Sequence, residues 1–215
     1  AWVEFNTDIN DVMYVFIDRR KKFPVTTLLR VIGYSSDQEI LDLFNLIEEI
    51  NVNSDNMEDL KNAYCAIDIV DTETGEILVE RESPLTEELI SKLKEAGIET
   101  AKIMKYDAVT GPDVISNTLR RDPAKSEKDA LETIYRQLRA GDAPDLDTAR
   151  NLVDRLFFNP KRYDLSRVGR HRLNKKLSVK IDEETTVLTK DDIVAIITYL
   201  LELRNGKRTP DDIDH

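Results

Sequence analysis

Residues 161–180 hold eight Lys or Arg against one acid, Asp164, and open with the run KRYDLSRVGRHRLNKKL. Cations at this density suit the phosphates of a polyanion, on a chain whose formal net charge of −11 would otherwise repel one. A second cluster, Arg19, Arg20, Lys21 and Lys22, is followed by Arg30 with no acid between residues 19 and 30. The competing reading is a solvated helix face whose cations pair with the chain's own 42 Asp and Glu.

Other chemistries find little support. The seven glycines stand singly, so no Gly-rich phosphate loop is present. Cys65 has no second Cys, and His171 and His215 lack partners at metal-ligand spacing. The three Asp of DDIDH (residues 211–215) suggest a Mg²⁺ or Ca²⁺ loop, but no Gly-bearing loop of the required length accompanies them. One Cys excludes an intramolecular disulfide and fits a reducing, cytoplasmic setting. No apolar run approaches the ~20 residues that span a membrane, and no signal-peptide pattern opens the chain. The sequence starts without Met inside a strand-like pattern, so a piece of a larger protein is expected.

Charge is segregated along the chain. Residues 37–100 carry 18 acids against four bases, residues 101–160 balance, and the last 35 residues return to −5. Basic elements facing a polyanion, with an acidic middle held away from it, is one reading; simple solubility of the acidic middle is the other.

The elements that must position these groups follow from local patterns. Residues 2–6 and 12–18 flank the polar TDIND turn as a β-hairpin. Pro24, read as an N1 proline, opens a helix closed by Gly33, and Ser36 with Glu39 forms a capping box before Ile40. AYCAIDIV and EILVE flank the turn DTETG; Thr86 then opens a helix to Lys94, Gly97 stops it, and ETAKIM follows as a strand. This gives a small acidic ββαβ module at 62–104 inserted into a discontinuous body, 1–61 and 105–215. Helices are expected over 112–120, 126–139, 147–157, 166–177 and 189–205, with amphipathic stripes that read as core. The class is α+β, mostly helical.

Four collinear blocks carry a resemblance. RYDLSRVGRHRLNKKL resembles the RYDL-x-x-VGR signature of the large β subunit of bacterial RNA polymerase. IDRRKKFPVTTLLRVIGY resembles that family's IDRRRKLPATxLLRALGY, and ETIYRQLRAGDAPDLDTARNLVDRLFF its EIYRxLRPGEPPTxExAxxLxxxLFF. LTKDDIVAIITYLLELRNGKRTPDDIDH is similar to the family's LTxxDIIxxIxYLIxLxNGxGxxDDIDH. The region of β concerned is the lobe, one jaw of the polymerase cleft.

The resemblance implies part of a DNA-directed RNA polymerase, a nucleotidyltransferase of transcription, in which this stretch is non-catalytic. It lines the main DNA channel and contacts downstream duplex and non-template strand. No cofactor is implied here, since the family's catalytic Mg²⁺ lies on β′. Implied partners are the rest of β, β′, α, ω, sigma factor and DNA, with no membrane; the isolated fragment is expected to be a monomer and the enzyme to be nucleoid-associated.

By the same resemblance Trp2 stacks on a non-template base, and Asp214 accepts hydrogen bonds from an extruded guanine. Arg139 and Arg162 line the melted strand and Arg19, Arg20 and Lys21 face the cleft; from the charge of the basic helix, Arg167 and Arg170 are expected to face the DNA as well. Ala140 replaces the family's usual Pro after Arg139. The alternatives stay open: Trp2 as a core residue of the hairpin, and each Arg in an intramolecular ion pair. Two other readings of the whole chain also stand: a free-standing acidic interaction module with a basic helix, and an autonomous DNA-binding regulator.

Overall fold

A computed structural model describes residues 3–18, 21–53, 60–61, 63–106, 111–139, 141, 145–158, 164–185 and 187–206. It divides into two compact units, residues 1–36 with 117–215, and residues 37–116. The 62–104 stretch lies wholly within the second.

In the first unit, β1 (Val3–Thr7), β2 (Met13–Ile17) and β3 (Lys21–Pro24) form an antiparallel meander in that order. The polar turn is a built one: Asp8 Oδ1 accepts from the N–H groups of Asn10 and Val12 at 2.9 and 3.0 Å. Met13, Val15 and Ile17 alternate into the core, as period two requires. β3 was not anticipated, because KKFP is too short and too polar to show alternation. Its last residue, Pro24, has ψ 139 and stands just outside α1 (Val25–Val31) as its cap rather than as its first helical residue. Gly33, at φ +127, lets the chain leave the region of α1 through a conformation closed to most residues.

The helix α1 packs against α5 (Glu127–Leu138), and α5 against α6 (Leu146–Phe157). Their seam buries Leu28, Leu29, Ala130, Leu131, Ile134, Ala149, Leu152, Val153 and Phe157. A polar knot joins this layer to the end of α4 (Val114–Arg121). Asp122, buried, accepts from Thr26 Oγ1 (2.7 Å), Thr27 Oγ1 (2.8 Å), Arg30 Nε (3.2 Å) and the Ala124 N–H (2.9 Å). Thr118 Oγ1 accepts from the Met13 N–H at 3.0 Å, tying α4 to the meander. A buried carboxylate is tolerated here because its oxygens meet a full set of donors. Two further helices, α7 (Ser166–Leu177) and α8 (Lys190–Arg204), pack together in the same unit.

The second unit holds α2 (Asp37–Leu43), β4 (Ile47–Asn51), β5 (Ile69–Val70), β6 (Ile77–Val79), α3 (Glu87–Glu95) and β7 (Thr100–Met104). Thr86 caps α3, its Oγ1 accepting from the Leu89 N–H at 3.2 Å. The order β, β, α, β follows the sequence expectation, but the last strand has an unanticipated partner: β7 pairs antiparallel with β4, from Ile47↔Met104 to Asn51↔Thr100. Residues 63–66 run beside it, with the Ala66 N–H donating to Lys102 O and the Met104 N–H to Tyr64 O, both at 2.8 Å. Val52, Leu60, Cys65, Leu78, Val79, Leu85, Ile90, Leu93, Ala101 and Ile103 make this unit's core.

Candidate nucleic-acid interface

The basic run forms α7 because RVGRHRLNKKL has no proline and its one glycine is helical; Ser178, left-handed at φ 56, ends it. A helix must distribute its side chains around the axis, so the three arginines of residues 167–172 cannot share one face. Arg170 points inward and is fully buried. Its guanidinium grips Asp192 of α8 with both terminal nitrogens, Nη1 to Oδ1 at 2.6 Å and Nη2 to Oδ2 at 2.8 Å. Its Nε donates to Thr185 O at 2.6 Å and Nη2 also donates to Val187 O at 2.5 Å. Asp192 in turn caps α8, accepting from the Thr189 N–H at 2.8 Å, while Thr189 Oγ1 accepts from the Asp192 N–H at 3.2 Å. The expectation that Arg170 faces DNA is therefore revised. Every nitrogen it carries is used inside the protein, and none is left for a phosphate.

The solvent side of α7 is different. Arg167, His171 and Lys175 succeed one another at i, i+4 spacing, Arg172 stands on the adjacent row, and all four are exposed. Arg167 pairs with Glu184 at 3.2 Å and His171 Nδ1 with Glu183 Oε1 at 2.9 Å, both pairs lying well in solvent. Arg172 and Lys175 have no ion pair among the described residues. Neither was singled out from the sequence; helical spacing from Arg167, with Arg170 placed inward, is the signal that finds them. Behind this face a groove of about 440 Å³ between α7 and α8 is lined by Leu165, Leu173, Ile196 and Leu200, with Arg172 and Lys176 among its walls.

Of the other expected contacts, Lys21 and Arg139 are among the described residues. Lys21 is exposed on β3, and its neighbour Lys22 lies 4.3 Å from the centroid of the Tyr14 ring, a cation–π contact. Arg139 is exposed at the C-terminal cap of α5, its side chain without a partner among the described residues. Trp2, Arg19, Arg20, Arg162 and Asp214 lie outside the described residues. Among the described residues no group of three or more His, Cys, Asp or Glu is placed to hold a metal ion, and no helix is long and apolar enough to cross a membrane. What the arrangement can do chemically is hold phosphates, through exposed guanidinium and ammonium groups on a rigid helix.

Comparison with known proteins adds an independent line. The sequence matches the family described as RNA polymerase Rpb2, domain 2, over residues 1–80 and 99–215. A DNA-directed RNA polymerase subunit beta from Porphyromonas cangingivalis is 47% identical over 233 residues. Those from Cytophaga hutchinsonii and Phocaeicola vulgatus are 47% and 44% identical over 232 residues. In each case the alignment covers 100% of this chain and 18% of the relative, so the chain spans under a fifth of the length of these proteins.

Proposed function

The chain belongs to the family of RNA polymerase Rpb2 domain 2, a segment of the β subunit, and from that membership we propose that it is the lobe, forming one wall of the enzyme's main DNA channel. It contacts downstream duplex and non-template strand, while nucleotidyl transfer and its Mg²⁺ belong to β′. The rest of β, β′, α, ω and sigma factor are its partners, in the cytoplasm at the nucleoid.

The observation that supports this reading is the exposed row of cations on α7, on a chain whose net charge is −11. Arg167, Arg172 and Lys175, exposed together on one helix, make a local phosphate-facing surface. Lys21 and Arg139, exposed elsewhere in the same unit, add separate phosphate contacts. Arg162, Arg19 and Arg20 act likewise, Trp2 stacks on an unpaired base and Asp214 reads a guanine edge. Phosphate contacts position and base contacts discriminate, so the two classes separate experimentally.

The test is the lifetime of open complexes formed by reconstituted holoenzyme. Arg172→Ala with Lys175→Ala shortens it equally on all promoters and lowers the steepness of its salt dependence by about one per lost phosphate contact. Asp214→Ala costs about 1–3 kcal/mol on promoters with guanine at the recognised non-template position and little elsewhere. Unchanged salt dependence in the α7 double variant refutes the channel-wall reading, and an equal effect on all four bases refutes the role of Asp214.

A further inference from the structure

The loop after α7 is built to hold carboxylates against the basic face. It carries Asp182, Glu183 and Glu184 in succession, all exposed. It is not free to drift, because α7 itself pins its backbone at three carbonyls. Asn174 Nδ2 donates to Ile181 O at 2.7 Å, and buried Arg170 donates to Thr185 O at 2.6 Å and to Val187 O at 2.5 Å. Inside the loop, the Glu184 N–H donates to Asp182 Oδ1 and the Thr185 N–H to Asp182 O, both at 2.9 Å. The backbone is thus rigid where Glu183 and Glu184 project, and their side chains reach His171 and Arg167.

We propose that this loop is an intramolecular competitor for phosphate at the basic face of α7, so that the face is divided. Arg172 and Lys175 meet the nucleic-acid backbone first. Arg167 and His171 are held by Glu184 and Glu183 until a phosphate displaces them. The proposal rests on the reading of α7 as a DNA-facing helix and names its regulation.

Exchange is feasible because both pairs are solvent-exposed, and such pairs are weak and salt-screened. A backbone phosphate offers Arg167 acceptor oxygens and the same single negative charge as the Glu184 carboxylate it replaces, which Arg167 meets through Oε1 at 3.2 Å. Only the two side chains need to rotate away; the loop backbone and the Arg170 anchor stay. The device therefore lowers affinity for loosely placed polyanions, whereas DNA brought to α7 by the rest of the channel gains two further contacts.

The experiment uses reconstituted holoenzyme and promoter DNA, reading dissociation lifetime across a salt series. Glu183→Gln with Glu184→Gln keeps side-chain size and removes only the competing charge. The expected result is a lifetime longer by about three- to twentyfold at moderate salt, from two exposed pairs, and a salt dependence steeper by one to two contacts. Adding Arg167→Ala removes most of that gain. Glu73→Gln with Glu76→Gln, on the acidic turn of the other unit, takes away equal charge and leaves the lifetime within twofold.

If the loop double variant matches this control, or changes nothing, the competitor is refuted. Failure of the underlying reading looks different: Arg172→Ala with Lys175→Ala then has no effect either. A loss confined to the loop variants, with the α7 cations still mattering, sinks the competitor alone.

Discussion

Replacing Arg170 by alanine separates the two roles an arginine in this helix can have. As a phosphate contact it would be a surface residue, and its loss would leave stability within about 0.5 kcal/mol. As found, it is fully buried with a two-pronged bridge to Asp192 and two backbone carbonyls as acceptors. Its removal strands a buried carboxylate and the carbonyls of Thr185 and Val187 without donors. Asp192 keeps its cap bonds from Thr189, which softens the loss but does not neutralise the charge. Breaking a buried pair from one side costs about 3–5 kcal/mol, a large share of a domain's typical 5–15 kcal/mol. For a chain of this size the unfolding midpoint then falls by roughly 6–20 °C. Urea denaturation followed by circular dichroism measures the loss, and amide exchange in α7 and α8 locates it. Arg170→Lys supplies one charge without the fork and recovers only part. Arg170→Met with Asp192→Asn strands no charge and keeps the cap acceptor, so it costs less than the sum of the single changes. An Arg170→Ala loss below about 1 kcal/mol refutes the clamp.

Two further outcomes concern titratable groups. Burial pushes the Cys65 thiol up, so alkylation by iodoacetamide at neutral pH is slow in the folded chain and accelerates sharply in denaturant; fast labelling of native protein contradicts the packing around β7. Asp145 caps α6, and its carboxyl is held below the usual range chiefly by the Thr148 N–H, which donates at 2.6 Å. A lowered folded pKa makes the stabilisation present above the unfolded value and lost as pH falls through the folded one. Asp145→Asn therefore flattens the acid limb of the stability curve while leaving α6 capped, and an unchanged acid limb refutes the assignment.

Much of the fold was legible because its signals are local. Thr86, Ser126 and Thr189 announced helix starts, and each side chain accepts the expected backbone N–H. The apolar spacing of α5 marked its buried stripe. The turn 7–11 between two apolar runs marked the first hairpin, since the residues that bend the chain lie beside those that pair. The family was legible too, in four motifs whose order survives without any coordinates.

Pairings across distance were not legible. β4, IEEIN, has no clean alternation, and it is a strand because β7, some fifty residues on, supplies its hydrogen bonds. Nor does the run RVGRHRLNKKL say which cation turns inward. Helical geometry forces the cations onto different faces, but the face that becomes interior depends on where Asp192 comes to rest. The sequence by itself determined the density of positive charge and the helix that carries it. Only the tertiary structure decided that Arg170 is a structural anchor, that Glu183 and Glu184 lie over Arg167 and His171, and that Arg172 and Lys175 remain open to solvent. The reason is physical: a buried charge needs a partner brought from elsewhere in the chain, and composition does not record where that partner folds.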